Sequence, residues 1–292
     1  MGLFILVAIF GPTLAPYDPN VRFTDLIEYN GEQYFPSVKP LPPLSLPQFP
    51  LGNDGVGRDL LSRMLWAVRP TLIAGLGVVA TRIVLGLALG TWAGWQSGHW
   101  PETIVDGLSS SLIAIPQLII AVALIGLSTE RPLWLFILVL GLIGWPDMSK
   151  FYQQETARLR QMGFIESAHA LGVSPLMIVW RHVLPQFWSS LPTMIAYELS
   201  GVLLIMAELG FLGVFIGNGL IIYTADADSA GVSATGLTAS NPELGQMLSD
   251  FNRKMFQAPW EMVIAATAVF LMVFSLNLIG DGLRKRQKSR LF

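Results

Sequence analysis

Two groups of residues in this chain have types and spacings that point to chemistry. The first is the stretch "GFIESAHALGVSPLMIVWRHVLPQ", residues 163–186. Its carboxylate, Glu166, can accept a charged hydrogen bond at the start of a short helix. The small side chains of Ser167, Ala168 and Ala170 permit another surface to approach closely, with His169 and Leu171 beside them. Gly172 supplies a positive φ that ends the helix, Ser174 stands where it can cap a second one, and Pro175 fits that helix's first position. Helix, turn, helix is the local reading, with Leu176, Ile178, Val179, Val183 and Leu184 on one apolar face. The same residues also fit a plain interfacial amphipathic hairpin with no partner. The second group is Arg82 with Glu198, two charges inside long apolar runs. Leaving either alone in lipid is expensive, so the two are read as partners, either lining a pathway, forming a structural ion pair, or with Arg82 snorkelling.

Other chemistry is excluded. The chain has no cysteine, hence no disulfide, thiolate or cysteine-ligated metal. His99, His169 and His182 lack the close spacing of a metal site, and there is no H-E-x-x-H. None of Lys39, Lys150, Lys254, Lys285 or Lys288 follows a glycine, so no phosphate-binding Gly-Lys-[Ser/Thr] loop is present. A membrane-embedded enzyme would want a metal motif or a nucleophile–base pair at membrane depth, which these residues do not provide. No cofactor is expected.

The elements that carry these residues belong to a membrane. Of 292 residues 52% are hydrophobic and only 13% charged, against about a quarter charged in soluble proteins. A net charge of −2 offers nothing to nucleic acid. Spanning a bilayer takes about 20 apolar residues in a helix. Six runs qualify as spans: 2–15, 72–95, 104–127, 133–151, 187–208 and 260–279. The first is short and is read as a partial helix. Pro116 and Pro146 mark kinks in the third and fourth. Residues 16–70 form a segment leading into the second span, and 211–259 a second long segment that includes a flexible small-residue insertion at 219–240.

Basic residues place the loops. Arg284, Lys285, Arg286, Lys288 and Arg290 put the C-terminus in the cytoplasm. Counting back puts the loop 155–185 there too, with Lys150, Arg158, Arg160 and Arg181, and leaves 16–70 and 211–259 outside. Arg58, Arg63, Arg69, Arg131, Arg253 and Lys254 run against the rule. Within "GRD", Arg58 and Asp59 either order the segment entering the second span through a local charge-assisted bond or touch a delivered protein.

The order Glu-Ser-Ala, three residues, Gly172, then Leu184-Pro185 resembles the EAA loop of ABC-importer permeases, with Ser167 for an alanine and His182 at the usual Ile position. Three further stretches resemble the second permease subunit of the dipeptide/oligopeptide/nickel branch: "FPLGNDGVGRDLLSRMLWAVRPTL" before the second span, "AELGFLGVFIG" after the fifth, and the terminal "APWEMVIAATAVFLMVFSLNLIGDGLRKRQ". The resemblance runs over residues 3–290 and implies an all-α polytopic bundle of the type I importer permease fold. It implies half of a translocation pathway in a prokaryotic inner membrane. The partners implied are a homologous second permease, two ATPase subunits and an external solute-binding protein. ATP hydrolysis would reside on the ATPases, and the loop bearing Glu166, Ser167, Ala168, His169, Leu171 and Gly172 would couple it to the membrane helices. The solute implied is a peptide, with nickel and oligosaccharide as alternatives within the class.

Overall fold

The structure, a computed structural model, describes residues 1–217, 220–225, 232–238 and 242–288. It is predominantly helical, with two small antiparallel hairpins. In order the elements are α1 (Gly2–Leu14), β1 (Ile27–Tyr29), β2 (Glu32–Tyr34), α2 (Leu60–Trp95), α3 (Trp100–Ile113), α4 (Gln117–Gly126) and α5 (Leu133–Arg160). There follow α6 (Gly163–Ala170), α7 (Pro175–Ile178), a π-helical turn (Val179–Val183), α8 (Leu184–Phe187) and α9 (Leu191–Phe211). β3 (Leu220–Ala225), β4 (Val232–Thr238), α10 (Leu244–Leu248), α11 (Phe251–Gln257) and α12 (Pro259–Lys288) complete the chain. Among the described residues α2, α5, α9 and α12 are long and apolar enough to cross a bilayer.

The span reading changes in two places. The third apolar run is two helices, α3 and α4, bent by 80° at the break before Gln117, because Pro116 lacks the N–H that an unbroken helix would use. α1, with 13 residues, is about 20 Å long and too short to cross alone. α2 begins at Leu60 and not near residue 72. Its start is fixed by Asp59, whose carboxylate accepts from the Ser62 N–H at 2.8 Å and the Ser62 hydroxyl at 2.6 Å, a side-chain N-cap. Asp59→Ala should cost about 1 kcal/mol, read as a lower midpoint in detergent-solubilised thermal unfolding. In α5, the helix continues through Pro146.

The described residues form two compact units, and the long helices run through both. The first comprises residues 1–75, 125–136 and 203–275. The segment before α2 is folded, not merely a tether. Asn30 and Gly31, both at positive φ (54° and 81°), turn β1 into β2, the hairpin geometry that Asn-Gly favours. Leu41, Leu46 and Phe49 form a small core with Tyr17 and Phe23. Most of the cations that contradicted the topology rule are committed to acids here. Arg58 pairs with Asp54 at 2.6 Å, Arg253 with Asp250 at 3.1 Å and Lys254 with Glu261 at 2.7 Å. Arg63 reaches Asp54 at 3.6 Å and donates to Gln246 at 2.7 Å. Arg58 is only 5% exposed, which fits the local ordering role of "GRD".

α10 is entirely buried and lies so close to α9 that a Cβ on Gly210 would meet the backbone of Gly245. The residue before α10, Glu243, is also buried, and its carboxylate accepts from the Ile216 N–H at 3.3 Å. Desolvation by burial pushes its pKa up to about 7, against opposing hydrogen bonds from backbone N–H groups. The small-residue tract read as a flexible insertion carries strands β3 and β4, paired antiparallel from Leu220↔Thr238 to Ala225↔Val232. The rest of 219–240, like Arg290 of the basic tail, lies outside the described residues.

The second unit comprises residues 76–124, 137–202 and 276–292. Its tightest packing is between α2 and α5. Gly86, Gly90 and Gly94 recur at four-residue spacing, and a Cβ on each would meet Met148, Ser149 and Gln153 of α5. Such a stripe of small residues brings two helix backbones together where lipid supplies no hydrophobic driving force. Below this contact Met148, Tyr152 and Leu159 of α5 bury themselves with Ile165, Ile178, Val183 and Phe187. The loop after α5 is thus packed against the helix that leads into it.

Candidate functional site

The loop is ordered by its own backbone. α6 starts after Met162 and ends at Leu171, and Gly172 follows at φ 81°. The Val173 N–H donates to the Ala168 carbonyl at 3.2 Å and the Gly172 N–H to the His169 carbonyl at 3.0 Å. That pair of bonds is a Schellman closure, which asks for glycine at the left-handed position. Ala168 and Val173 both pack on the Met148–Phe187 cluster, supplying the apolar contact that accompanies the motif. Ser174 and Pro175 occupy the N-cap and first positions of α7, but the Ser174 hydroxyl makes no capping bond.

Beyond α7 the chain widens into the π turn, where the Leu184 N–H donates to the Val179 carbonyl, and α8 follows with Pro185 as its second residue. A proline ring collides with the carbonyl four residues back in an α-helix, and the wider turn accommodates it. The expected apolar face is only partly realised: Ile178 and Val183 are buried, whereas Leu176 is 81% exposed.

The candidate residues divide by direction. Ile165 is buried and Ala168 half-buried against the chain's own core. Glu166, Ser167, His169, Ala170, Leu171 and Gly172 are exposed, with Leu171 at 84%. The Ser167 hydroxyl donates to the Gly163 carbonyl at 2.8 Å, which leaves the outer surface of α6 to Glu166 and His169. Those two line a polar hollow of about 540 Å³ together with Ser97, Arg160 and Gln161. The result is a mixed polar and apolar ridge that is exposed on its outer side.

Arg82 and Glu198 do meet. Arg82 Nη1 donates to Glu198 Oε2 at 3.1 Å, Nε to the Leu140 carbonyl at 3.1 Å and Nη2 to Gln117 Oε1 at 3.4 Å. The guanidinium therefore ties α2 to α4, α5 and α9 within the second unit. Gly144 makes room for it, since a Cβ there would overlap the guanidinium. Arg82 is 4% exposed. Sequence reasoning found the pair but neither Gln117 nor Gly144; a polar residue and a glycine in apolar runs were the available signals. It also missed Gly86, Gly90 and Gly94, whose spacing alone would have marked a helix contact.

The family described as "Binding-protein-dependent transport system inner membrane component" matches residues 86–292. The glutathione transport system permease protein GsiD of Pectobacterium atrosepticum is 29% identical over 97% of this chain and 83% of its own length. Its Escherichia coli namesake is 30% identical over 97% of this chain and 81% of its own length. In fold, the chain superposes on one from the MetNI methionine ABC transporter in an inward-facing conformation. The TM-score is 0.56 with 19% identity, covering 76% of this chain and 95% of that one. From the glycine stripe of α2, through the loop between α5 and α9, to the end of α12, the chain belongs to the inner membrane components of binding-protein-dependent transport systems.

Proposed function

We propose that this permease forms half of the translocation pathway of a prokaryotic inner-membrane importer for peptides or a related solute. It pairs with a homologous second permease, two ATPase subunits that hydrolyse ATP, and an external solute-binding protein. The relatives named for glutathione transport support a peptide-like solute. α6 is the coupling element, and the observation that carries this reading is its ridge: locked by the Gly172 turn onto the core beneath, yet bare on the outside. Glu166 makes a charged hydrogen bond to the ATPase, His169 and Leu171 flank it, and the small exposed side chains of Ser167 and Ala170 keep the helix slim enough for close approach, with Ala168 seating it on the core beneath. The loop 155–185 and the tail after 283 are cytoplasmic, and 16–70 and 211–259 external. Arg82 with Glu198 holds the helices of the second unit in register under that loop.

Because Ala168 faces inward, a bulky residue there would disturb the permease itself. Ala170→Trp and Glu166→Lys test docking more cleanly, both being exposed. Each should weaken ATPase attachment by about 2 kcal/mol, roughly thirtyfold, measured as co-purification and as substrate-stimulated ATP hydrolysis by the reconstituted complex. Unchanged values for both variants would remove α6 as the coupling element. Cysteines introduced singly into this cysteine-free chain report topology, and labelling at position 160 only from outside would reverse it.

A further inference from the structure

The end of α2 and the segment after Gly172 enclose a largely apolar cavity of about 800 Å³, within the ~300–1,000 Å³ usual for small-ligand sites. Trp92 and Trp95 form one side, Leu176 and Trp180 the other. Leu176 and Trp180 are 81% and 73% exposed and Met177 beside them is exposed too, so this stretch presents large apolar side chains without protein cover. No carboxylate lines the cavity; Arg160 and His99 do.

Arg160 is held in place. Its Nη1 donates to the Trp95 carbonyl at 2.7 Å, and its guanidinium lies 6.0 Å from the centre of the Trp95 ring. It forms no ion pair among the described residues, and the side chain is exposed. A cation tethered to the Trp95 carbonyl thus stands between this apolar slot and the polar hollow that Glu166 also lines. The slot lies where a bilayer-length helix ends in Trp92 and Trp95, just before Gln96, the composition of a membrane–water boundary.

We propose that this cavity binds one anionic phospholipid, its acyl chain against Leu176, Trp180 and Trp92 and its phosphate on the Arg160 guanidinium. The apolar lining requires a hydrocarbon occupant, and the guanidinium matches phosphate oxygens in geometry and charge. Basic pockets between spanning helices hold acidic lipid headgroups in this way. A zwitterionic lipid offers the same chains but no net charge.

The test is native mass spectrometry of the full chain in detergent, titrated in parallel with phosphatidylglycerol and phosphatidylcholine of identical chains. Wild type should retain phosphatidylglycerol preferentially. Arg160→Gln should lower that retention about fivefold and leave phosphatidylcholine unchanged, whereas Leu176→Ser with Trp180→Ser should lower both. Should Arg160→Gln fail to fold, His99→Glu places a negative charge at the exposed wall and should lower the phosphatidylglycerol preference alone. Equal retention of the two lipids by wild type would overturn the proposal. So would an unmoved preference in the folded charge variant, or a photocrosslinker at position 176 that captures protein instead of lipid in membranes.

Discussion

Replacing Arg82 with leucine is expected to cost roughly 3–5 kcal/mol, the usual penalty for leaving one member of a buried ion pair alone. Glu198 would keep its charge or take up a proton with no other ion-pair partner among the described residues. The Leu140 carbonyl and Gln117 would lose donors as well. Replacing both charges with leucine removes the orphan and should recover most of the loss, because paired charges taken out of water gain little over a well-packed apolar pair. The measurement is the folded fraction of the permease in a mixed-micelle denaturant titration for both single variants and the double variant. Additive losses would mean that the two side chains do not act as a pair. If the pair lines the pathway, the stable double variant should still lose transport.

The second large effect concerns Glu243. Its carboxyl binds a proton with a pKa of about 7 when buried, against 4.5 ordinarily. Between those values the folded protein holds a proton that the unfolded chain has released, so stability falls as pH rises. The loss begins above about pH 4.5 and is complete just above pH 7. Its full size is ~3 kcal/mol at 1.36 kcal/mol per tenfold change in proton affinity. Hydrogen exchange of residues 242–248 should therefore quicken, beyond its intrinsic pH dependence, from pH 5 to pH 8 in wild type. Glu243→Gln should remove that excess and be the more protected at pH 8. Parallel profiles for the two proteins would show that the carboxyl stays ionised when folded, held by the N–H groups of Ile216, Gly245 and Gln246.

The loop between α5 and α9 was legible because its signals are local. Gly172, Ser174 and Pro175 each constrain one or two backbone angles, and the helix–turn–helix they announce is present, although the Ser174 hydroxyl makes no capping bond. Hydropathy located the long helices but misjudged their ends, because a spanning helix continues into polar sequence when a cap such as Asp59 starts it early. The Asn30-Gly31 hairpin and the Asp59 cap were both written in the sequence and passed over beside the Pro-rich composition. What could not be read is which way α6 presents Ala168. That depends on α5 supplying Met148, Tyr152 and Leu159 beneath it, a contact fixed by tertiary packing. The pairing of Arg63 with Gln246 across 183 positions is of the same kind.

The π turn before Pro185 has a rotational consequence. Ile178, Val183 and Phe187 are buried together, spaced by five and then four residues. In an α-helix a five-residue step swings a side chain about 140° from its starting direction, so Val183 would leave the core. The extra residue in the π turn absorbs most of that angle and brings Val183 back into phase with Ile178. Forcing α geometry on all five residues 179–183 would turn everything downstream by most of that angle, carrying the start of α9 with it, whereas deleting one residue there would remove the bulge and leave Val183 in phase. The link between the loop and the membrane therefore has a fixed angular setting as well as a fixed length.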